Sequence, residues 1–476
     1  MVIKNSINVF TISENQQSKE NKIINRERFN WFLYLTAFVV NLSSIAAGIS
    51  YAWSSPAIPK LKIPVPHEDN PLTKDLTLNE ESWIASFLPV GALFGAFTSG
   101  ALFPSIGKKK TLLITITPII LSNIIVAFST NAYIFYVGRF LAGITVGAST
   151  TVIPLYLCEI AELNNRGSLG CMYSTFLSIG NLYSYVIGPC LDLTTFSLSC
   201  LWASVGFFVI FPFFPDTVLF YLDQKNEGKA SKVLQKFRTT NSDEEFNQIQ
   251  SSFVNKIENN ENSWVIFKQK SFRKGLVICL SLIAFQQFSG ISIIIFYMQS
   301  IFDSTDSSIS SYISTVAVAI VQLIFCVISV MIVDKLGRKV LLLYSAFGTV
   351  LALILLGAYF YFQANEYNMD FFSLLPIGSI LLHMAAYNVG FGPVPFAILG
   401  EIFPPTPIAS TLTAVTCLSL TFFTTKFFPS MVNLIGQHYS FWLLAIIMII
   451  AMIFIVVFVP ETKGKSLKEI MAILEQ

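Results

Sequence analysis

The stretch Phe285-Gln286-Gln287-Phe288-Ser289-Gly290-Ile291-Ser292, followed by Phe296-Tyr297, decides the fold of this chain. It lies within an apolar run, residues 276–301, that is long enough to cross a bilayer. Amides and hydroxyls cost free energy in hydrocarbon unless they find partners, so this polar stripe is expected to face a bundle interior or a water-filled cavity. Hydrogen bonds to a neighbouring helix are the alternative that the chemistry alone leaves open. A glutamine amide offers both a donor and an acceptor, which suits the hydroxyls of a neutral polyol.

The composition is that of an integral membrane protein. Of the 476 residues, 54% are apolar and 12% are charged, whereas about a quarter of the residues of a soluble protein are charged. The net charge is +2, and the basic residues are distributed by loop without forming a patch that would suit nucleic acid. No cleavable signal peptide is predicted, because residues 1–30 are polar and the first apolar run is long enough to span.

The seven cysteines fit no zinc or haem spacing, and we expect no metal, no cofactor and no enzymatic chemistry. Most of them lie within apolar runs, where a thiol behaves as a small hydrophobic group. Cys190 and Cys200 flank one short loop, and whether they pair stays open at this point.

Twelve apolar runs of spanning length follow one another, at residues 31–53, 83–103, 111–130, 132–157, 168–190, 198–214, 275–301, 311–333, 340–362, 372–398, 409–433 and 438–459. A polar stretch, residues 222–274, divides them six and six. The two tails and alternate loops hold 25 Lys and Arg, whereas the opposite loops hold three, Lys60, Lys62 and Lys74. Because basic residues collect on the cytoplasmic side, both termini are expected in the cytoplasm.

The predicted fold is an all-α membrane protein with twelve transmembrane helices in two six-helix halves. Its parts are an N-tail at 1–30, a first half at 31–214, a cytoplasmic helical linker at 215–274, a second half at 275–459 and a C-tail at 460–476. Within the linker, the spacing of apolar residues predicts two short amphipathic helices, at 227–237 and 243–257.

One motif recurs at the same place in both halves. Gly100-x-x-x-Pro104-x-x-Gly107-Lys108-Lys109 follows the second span, and Asp334-Lys335-Leu336-Gly337-Arg338-Lys339 follows the eighth. Either copy alone is a modest signal, since basic residues are common in such loops. Together they indicate a duplicated transporter architecture.

Gln286-Gln287-x-Ser289-Gly290 with Phe296-Tyr297 resembles the sugar-binding motif in the seventh helix of the sugar porters, a family of the major facilitator superfamily. The resemblance covers residues 31–471, and its most specific marker is Pro460-Glu461-Thr462-Lys463-Gly464-Lys465-Ser466-Leu467, after the last helix. Gly48-x-Ser50-x-x-Trp53-Ser54-Ser55-Pro56 is similar to insect facilitated trehalose and glucose transporters. The chain departs from the family pattern at Ser292, where the family has Asn, and at Phe296, where it has Tyr.

This resemblance implies a set of sugar contacts. In the fifth span, Ser174, Ser178 and Asn181 also fall on one helical face, and Ser174 occupies a position where many hexose carriers have Gln. The residues expected to bind the substrate are Gln286, Gln287, Ser292, Tyr297, Asn388, Phe396, Ser174 and Asn181. Further candidates for lining the site are Tyr51, Trp53 and Thr150.

The resemblance also implies ion pairs that join the two halves at the cytoplasmic helix ends and break when that side opens. The residues it places there are Glu159, Arg166, Asp216, Asp334, Arg338, Glu401 and Glu461. Solvated loop charges, worth about 0–1 kcal/mol each, are the alternative. Lys108 stands where the family has Arg, so a weaker ion pair is expected in the first copy. No Arg follows Glu401 closely, so Glu401 either uses Arg338 alone or belongs to a looser gate.

Gly390, Gly392, Pro393 and Pro395 are expected to break the tenth helix near mid-membrane. The carbonyls freed by such a break need a neighbouring donor or a cavity. We expect a hinge for alternating access there, and a static kink is the alternative.

The predicted function is facilitated transport of a neutral sugar, trehalose or a hexose, by alternating access in the plasma membrane. A proton–sugar symporter is one alternative, although residues 31–53 contain no Asp or Glu that could serve Arg139 as a proton acceptor. A sugar sensor that does not transport is the other, and its usual long signalling tail is not found after residue 459. The expected partners are the small-molecule sugar and the lipid bilayer, without nucleic acid; the sequence does not indicate an oligomeric state.

Overall fold

A computed structural model of the chain describes residues 30–67, 70–162, 165–238, 242–258, 270–305, 307, 309–367, 372–403, 407–463, 465 and 467–475. The regular secondary structure of these residues is helical.

Six spans form the first half of the bundle. They are span 1, Trp31–Ala52 continued by Ser54–Leu61; span 2, Leu78–Ile106; span 3, Lys108–Thr115 with Thr117–Ala127; span 4, Ala132–Ile160; span 5, Arg166–Ile187; and span 6, Leu193–Ser199 with Leu201–Ile210.

Six further spans form the second half. They are span 7, Lys270–Phe288 with Ile291–Asp303; span 8, Ser311–Leu336; span 9, Arg338–Ala364; span 10, Leu375–Val389 with Val394–Ile402; span 11, Pro407–Ile435; and span 12, Gln437–Phe458. A last helix, Leu467–Glu475, follows.

In the described part of the chain, eleven helical segments are long and apolar enough to cross a membrane, and span 5 completes the set of twelve. Span 5 is richer in polar residues, since Ser174, Ser178, Asn181 and Ser184 follow one another along it. The predicted twelve-helix fold is thereby confirmed.

The repeated motif makes the same turn in both halves. Gly107 has φ 88° between spans 2 and 3, and Gly337 has φ 89° between spans 8 and 9. Only glycine adopts this backbone region at little cost, so each glycine ends one helix and lets the next begin at the following residue. The basic residues Lys108 and Arg338 are therefore the first residues of their helices.

The linker contains the two predicted helices, Glu227–Phe237 and Ser242–Glu258. Arg238 attaches them to the first half, since its guanidinium donates to the carbonyls of Ile160 at 2.8 Å and Ala161 at 3.0 Å and pairs with Glu245. The side of the bundle on which the linker lies is called the linker end below, and the opposite side is called the far end.

Small residues let the helices of the first half pack closely. A Cβ added to Gly143 of span 4 would lie 2.2 Å from the carbonyl oxygen of Leu88 in span 2, and one added to Gly180 of span 5 would lie 2.2 Å from the carbonyl oxygen of Ile45 in span 1. Glycines at such crossings are typical of helix pairs in membranes.

Candidate functional site

Span 7 is interrupted at Ser289-Gly290, where the first helix ends at Phe288 and the second begins at Ile291. Gly290 has φ 87°, a left-handed conformation that suits glycine. Gln286 and Gln287 occupy the last turn before this break and are 3% and 5% exposed. The glutamine motif of span 7 thus lies at a helix interruption, and both of its amides are buried.

Gln287 joins span 7 to span 11. Its Oε1 accepts hydrogen bonds from Ser292 at 2.8 Å and from Thr421 at 3.0 Å. Its Nε2 donates to the sulfur of Cys417 at 3.2 Å. Ser292, which stands in place of the family's Asn, therefore orients Gln287 from the other side of the break.

Gln286 joins span 7 to span 10. Its Nε2 donates to the carbonyl of Phe391 at 2.6 Å and to that of Gly392 at 3.2 Å. Its Oε1 is buried and has no hydrogen-bond partner among the described residues. A buried amide oxygen without a partner costs free energy, and a ligand hydroxyl would satisfy it.

Span 10 is broken at residues 390–393, as predicted. A Cβ on Gly390 would lie 2.4 Å from the carbonyl oxygen of Leu341, so the backbone here passes close to span 9. The Phe391 N–H donates to Ser345 Oγ of the same span at 3.0 Å. The freed carbonyls find their expected neighbour in Gln286. Pro393 and Pro395 lie at the start of the second helix.

Aromatic side chains from both halves surround these amides. The phenols of Tyr51, Tyr173 and Tyr387, which come from spans 1, 5 and 10, lie near the thiol of Cys417. Thr150 of span 4, a predicted lining residue, shares a 2.8 Å hydrogen bond with the Tyr173 hydroxyl. The group Gln286, Gln287, Cys417, Tyr51, Tyr173 and Tyr387 is called the central cluster below.

Three of the predicted sugar contacts are engaged with the protein itself or lie at an exposed position. The Tyr297 hydroxyl donates to the carbonyl of Thr425 at 3.0 Å, and its ring lies 5.9 Å from that of Phe428. Asn388 donates to the carbonyl of Met384 in its own helix at 2.8 Å. Phe396 is 45% exposed.

The two predicted contacts in span 5 lie against span 8 and in the bundle interior. The Oγ of Ser174 accepts a hydrogen bond from the sulfur of Cys326 at 3.6 Å. Asn181 is fully buried, and neither its Oδ1 nor its Nδ2 has a hydrogen-bond partner among the described residues. Such an amide is a candidate for contact with water or substrate.

Trp53, another predicted lining residue, packs on the buried Arg139. The guanidinium carbon lies 5.3 Å from the Trp53 ring and 5.9 Å from the Phe296 ring. Arg139 donates to the carbonyls of Ser50 at 2.6 Å and Ile84 at 3.1 Å. The cation is thus stabilised by carbonyls and aromatic faces, and no salt bridge to a carboxylate is formed within the described part of the chain.

Sequence reasoning missed several residues of this region. Cys417 was interpreted as a small hydrophobic residue, and Thr421 and Tyr387 were not singled out. Gln322 was missed as well: it is buried, its Oε1 has no partner among the described residues, and it lies one turn before Cys326. A glutamine inside an apolar span was a signal in its own right.

At the linker end, the first half carries a cluster of charged groups at the start of span 3. Lys108 Nζ lies 2.9 Å from Glu159 Oε1, at the end of span 4. Lys108 thus forms an ion pair, and since it offers a single nitrogen where the family's Arg could offer two, the weaker pair expected in the first copy stays a prediction. Asp216, which follows span 6, accepts from the Lys109 N–H at 3.1 Å.

The second half repeats this cluster at the start of span 9. Arg338 pairs with Glu401, at the end of span 10, through Nε and Nη2, both at 2.8 Å from Oε1. Glu461, which follows span 12, accepts from the N–H groups of Arg338 at 3.0 Å and Lys339 at 3.1 Å. Glu401 Oε2 has no partner among the described residues, so Arg338 is the basic residue that Glu401 uses here.

These ion pairs join helices of the same half, whereas the resemblance predicted pairs between the halves. Arg166 is the first residue of span 5 and Asp334 lies near the end of span 8, but both side chains fall outside the described residues.

The two terminal acids differ in pKa. Burial raises the pKa of Asp216, although the N–H groups of Thr217 and Lys109 act in the opposite direction. Burial acts to raise the pKa of Glu461 too, but the N–H groups of Lys463, Arg338 and Lys339 outweigh it and the pKa is lowered.

At the far end, hydrogen bonds join the two halves directly. Ser54 Oγ donates to the carbonyl of Phe296 at 3.0 Å, and the Gln299 N–H donates to Ser55 Oγ at 3.0 Å. The Tyr185 hydroxyl donates to the carbonyl of Ile295 at 2.9 Å. The second helix of span 7 is thus fastened to the first half.

A lysine adds a second connection at the far end. Lys426 of span 11 donates to Asn79 at 2.8 Å and to Ser82 at 2.7 Å in span 2, with its ammonium 4.0 Å from the centroid of the Trp83 ring. Cys190 and Cys200, whose pairing was left open, are both free thiols.

Two halves with repeated motifs, joined at one end around a central polar cluster, define a membrane transporter of the major facilitator class. A family model described as sugar (and other) transporter matches residues 28–474. The chain belongs to this family and is a sugar transporter.

Among its relatives, the facilitated trehalose transporter Tret1 of Bombyx mori is 31% identical over 470 residues, which cover 98% of this chain and 91% of the relative. The facilitated trehalose transporter Tret1-2 homolog of Drosophila sechellia is 32% identical, with 94% of this chain and 91% of the relative covered. The inward-open conformation of the xylose transporter XylE from E. coli has a TM-score of 0.76 at 22% identity, covering 93% of this chain and 99% of that chain. This last likeness concerns the fold.

Proposed function

We propose that the chain carries a neutral sugar, trehalose or a hexose, down its gradient, with the central cluster as the binding site. The observation that carries this proposal is the pair of buried glutamines at the break of span 7. Gln287 is oriented by three side chains, and Gln286 presents an unpartnered Oε1. Amides held in this way bind hydroxyls through several contacts of about 0.5–1.5 kcal/mol each, weak enough to permit release.

Within this site, the sugar contacts comprise the predicted Gln286, Gln287, Ser174 and Asn181, joined by Gln322 and Cys417. Ser174 and Ser292 are small where hexose carriers have Gln and Asn, which leaves room for a disaccharide. The relatives that are named trehalose transporters support the same choice.

Alternating access follows from the two ends of the bundle. The far end is held shut by hydrogen bonds between the halves, whereas the described ion pairs of the linker end lie within each half. This arrangement fits a state that opens toward the linker end. In the opposite state, Glu159, Arg166, Asp334, Arg338 and Glu401 would pair across the halves.

We place the linker end in the cytoplasm and the protein in the plasma membrane, with the five-part division of the chain given by its tails, halves and linker. The support is the distribution of basic residues in the sequence, 25 in the tails and alternate loops and three in the opposite loops.

Transport is uncoupled from protons in this proposal. Arg139 is stabilised by the carbonyls of Ser50 and Ile84 and by aromatic rings, so no carboxylic acid next to it takes up a proton with the sugar. His383, the one histidine at membrane depth in the described spans, bonds a backbone carbonyl.

Uptake of labelled trehalose and glucose into oocytes that express the chain tests the proposal. The expected result is saturable uptake that equilibrates the sugar, with no sugar-evoked current at external pH 5.5 or 7.5. Accumulation that a protonophore abolishes would identify a symporter. Sugar binding to the purified protein without any uptake would identify a sensor.

A further inference from the structure

Backbone carbonyls are freed at the breaks of spans 7 and 10, and in each break a side chain of the other span bonds at least one carbonyl. Gln286, before the break of span 7, donates to Phe391 in the break of span 10 at 2.6 Å. His383, before the break of span 10, lies with its Nε2 2.8 Å from the carbonyl of Ser289 in the break of span 7. These two hydrogen bonds connect the break of span 7 to the break of span 10.

The contact of His383 constrains where its ring carries a hydrogen. A carbonyl oxygen only accepts, so Nε2 carries a hydrogen. Nδ1 is buried and has no partner among the described residues. The ring is 1% exposed and lies parallel to that of Tyr387, a member of the central cluster, with 6.4 Å between the ring centroids. Both features hold the imidazole in one orientation.

The bond of His383 falls at the junction between two helices with different attachments. The second helix of span 7, Ile291–Asp303, is fastened to the first half of the bundle through Ser54, Ser55 and Tyr185. The first helix, Lys270–Phe288, is fastened to span 10 through Gln286. When the far end opens, the bonds of Ile291–Asp303 must break, and the chain can pivot at Gly290.

We propose that His383 is a positioning residue. Through its bond to Ser289 it holds the end of the first helix of span 7 in place while the second helix moves, and it thereby keeps Gln286 and Gln287 oriented toward the sugar. Without the bond, the last turn before Gly290 loses its tether, and the two amides reach the sugar from a broader set of orientations. Binding then costs additional ordering of the site, so sugar affinity falls while the transport cycle itself persists. The inference rests on the proposed function, since it concerns the same site.

The test compares substitutions that keep the volume of His383 with and without a donor. His383→Met fills the space and cannot bond Ser289, and we expect the KM for uptake to rise about fivefold at an unchanged maximal rate per transporter. His383→Gln places an amide donor within reach of the same carbonyl, and we expect its KM within about twofold of the unsubstituted chain. His438→Met, at the far end, is the matched control and should leave the KM unchanged.

Surface abundance and the melting temperature of the purified protein separate positioning from packing. An unchanged KM in His383→Met, or an equal KM rise in His383→Met and His383→Gln, would overturn the proposal. If His383→Met does not reach the surface, His383→Asn, too short to reach Ser289, takes its place with the same expected rise. Absence of any sugar uptake or binding by the unsubstituted chain would instead contradict the proposed function, which keeps the two failures distinct.

Discussion

The two halves of the bundle are built alike at the linker end and differently in mid-membrane. In each half, a glycine with φ near 88° is followed by a basic residue that pairs with the acid ending the fourth span of that half. In each half, an acid after the last span accepts from backbone N–H groups that follow this glycine, one for Asp216 and two for Glu461.

In mid-membrane, however, span 4 runs unbroken from Ala132 to Ile160, whereas its counterpart, span 10, is broken at residues 390–393. Span 4 carries Arg139, whose bonds to Ser50 and Ile84 tie three spans of the first half together. The repeated clusters therefore anchor helix ends, while the second half alone combines a broken fourth span with paired glutamines. We infer that the second half supplies most of the sugar chemistry and the moving segment.

The largest expected effect tests whether the binding chemistry lies in the second half. Gln286→Ala should raise the KM for sugar uptake about tenfold, and the double variant Gln286→Ala/Gln287→Ala more, because one or two hydrogen bonds in a desolvated site are lost from each residue. Gln224→Ala, at an exposed position of the linker, is the control. Normal uptake kinetics in a well-expressed double variant would move the site out of the second half.

The next effect concerns the paired clusters. Arg338→Ala should shift the population toward the state open at the linker end. The pair with Glu401 seen here lies within one half, whereas the proposed pairs of Arg338 across the halves hold the opposite state closed and would be lost. Lys108→Ala should shift it in the same direction by less, since Lys108 offers a single nitrogen where Arg338 uses two.

The reporter for this shift is a cysteine in place of Ser55, which is buried while the far end is shut. In a Cys190→Ser background, we expect its labelling by an impermeant thiol reagent to slow about threefold in Arg338→Ala. Equal labelling rates in all variants would show that the clusters do not control access.

A smaller effect should distinguish span 10 from span 4, its counterpart in the first half. Pro393→Ala restores a backbone donor at the break of span 10 and should slow turnover about twofold to threefold by favouring a continuous helix, with little change in KM. Pro154→Ala lies within the unbroken span 4 and is the matched control, with a change of less than twofold expected. A larger loss in Pro154→Ala than in Pro393→Ala would reverse the assignment of the moving segment.

The smallest effect is a pH dependence of opposite sign in the two halves. The raised pKa of Asp216 means that folded protein holds its proton at a pH where an unfolded chain has lost it, so this group favours folding more as pH falls through the raised value. The lowered pKa of Glu461 means the reverse: its contribution is present above the ordinary value of about 4.3 and is lost as pH falls through the lowered one.

Melting temperatures of the purified protein between pH 7 and pH 3.5 measure this difference. The stability gap between the unsubstituted chain and Glu461→Gln should narrow as pH falls. As pH falls, the stability of the unsubstituted chain should increase relative to that of Asp216→Asn. Gaps that change in the same direction would contradict the difference in burial and hydrogen bonding.

Much of the fold was predictable because the signals are local. Length and hydropathy identify a span without reference to its neighbours, and glycine and proline mark the break of span 10. The break of span 7 at Gly290 was not predicted. The linker helices were predicted from apolar spacing for the same reason. Which acid Lys108 meets was harder to predict, since residue type alone does not reveal how far a flexible side chain reaches.

By itself, the sequence determined the twelve spans, the duplicated halves, the break of span 10 and the presence of paired amides in mid-membrane, since each of these depends on the chemistry of consecutive residues. Only the tertiary structure decided which groups those amides meet. Gln286 bonds a carbonyl 105 residues away, Gln287 a thiol 130 residues away, and His383 a carbonyl 94 residues away. The physical reason is that lipid offers no partners for backbone or amide groups, so each broken span is completed by whichever helix packs beside it, and helix rotation and crossing are set by packing rather than by periodicity.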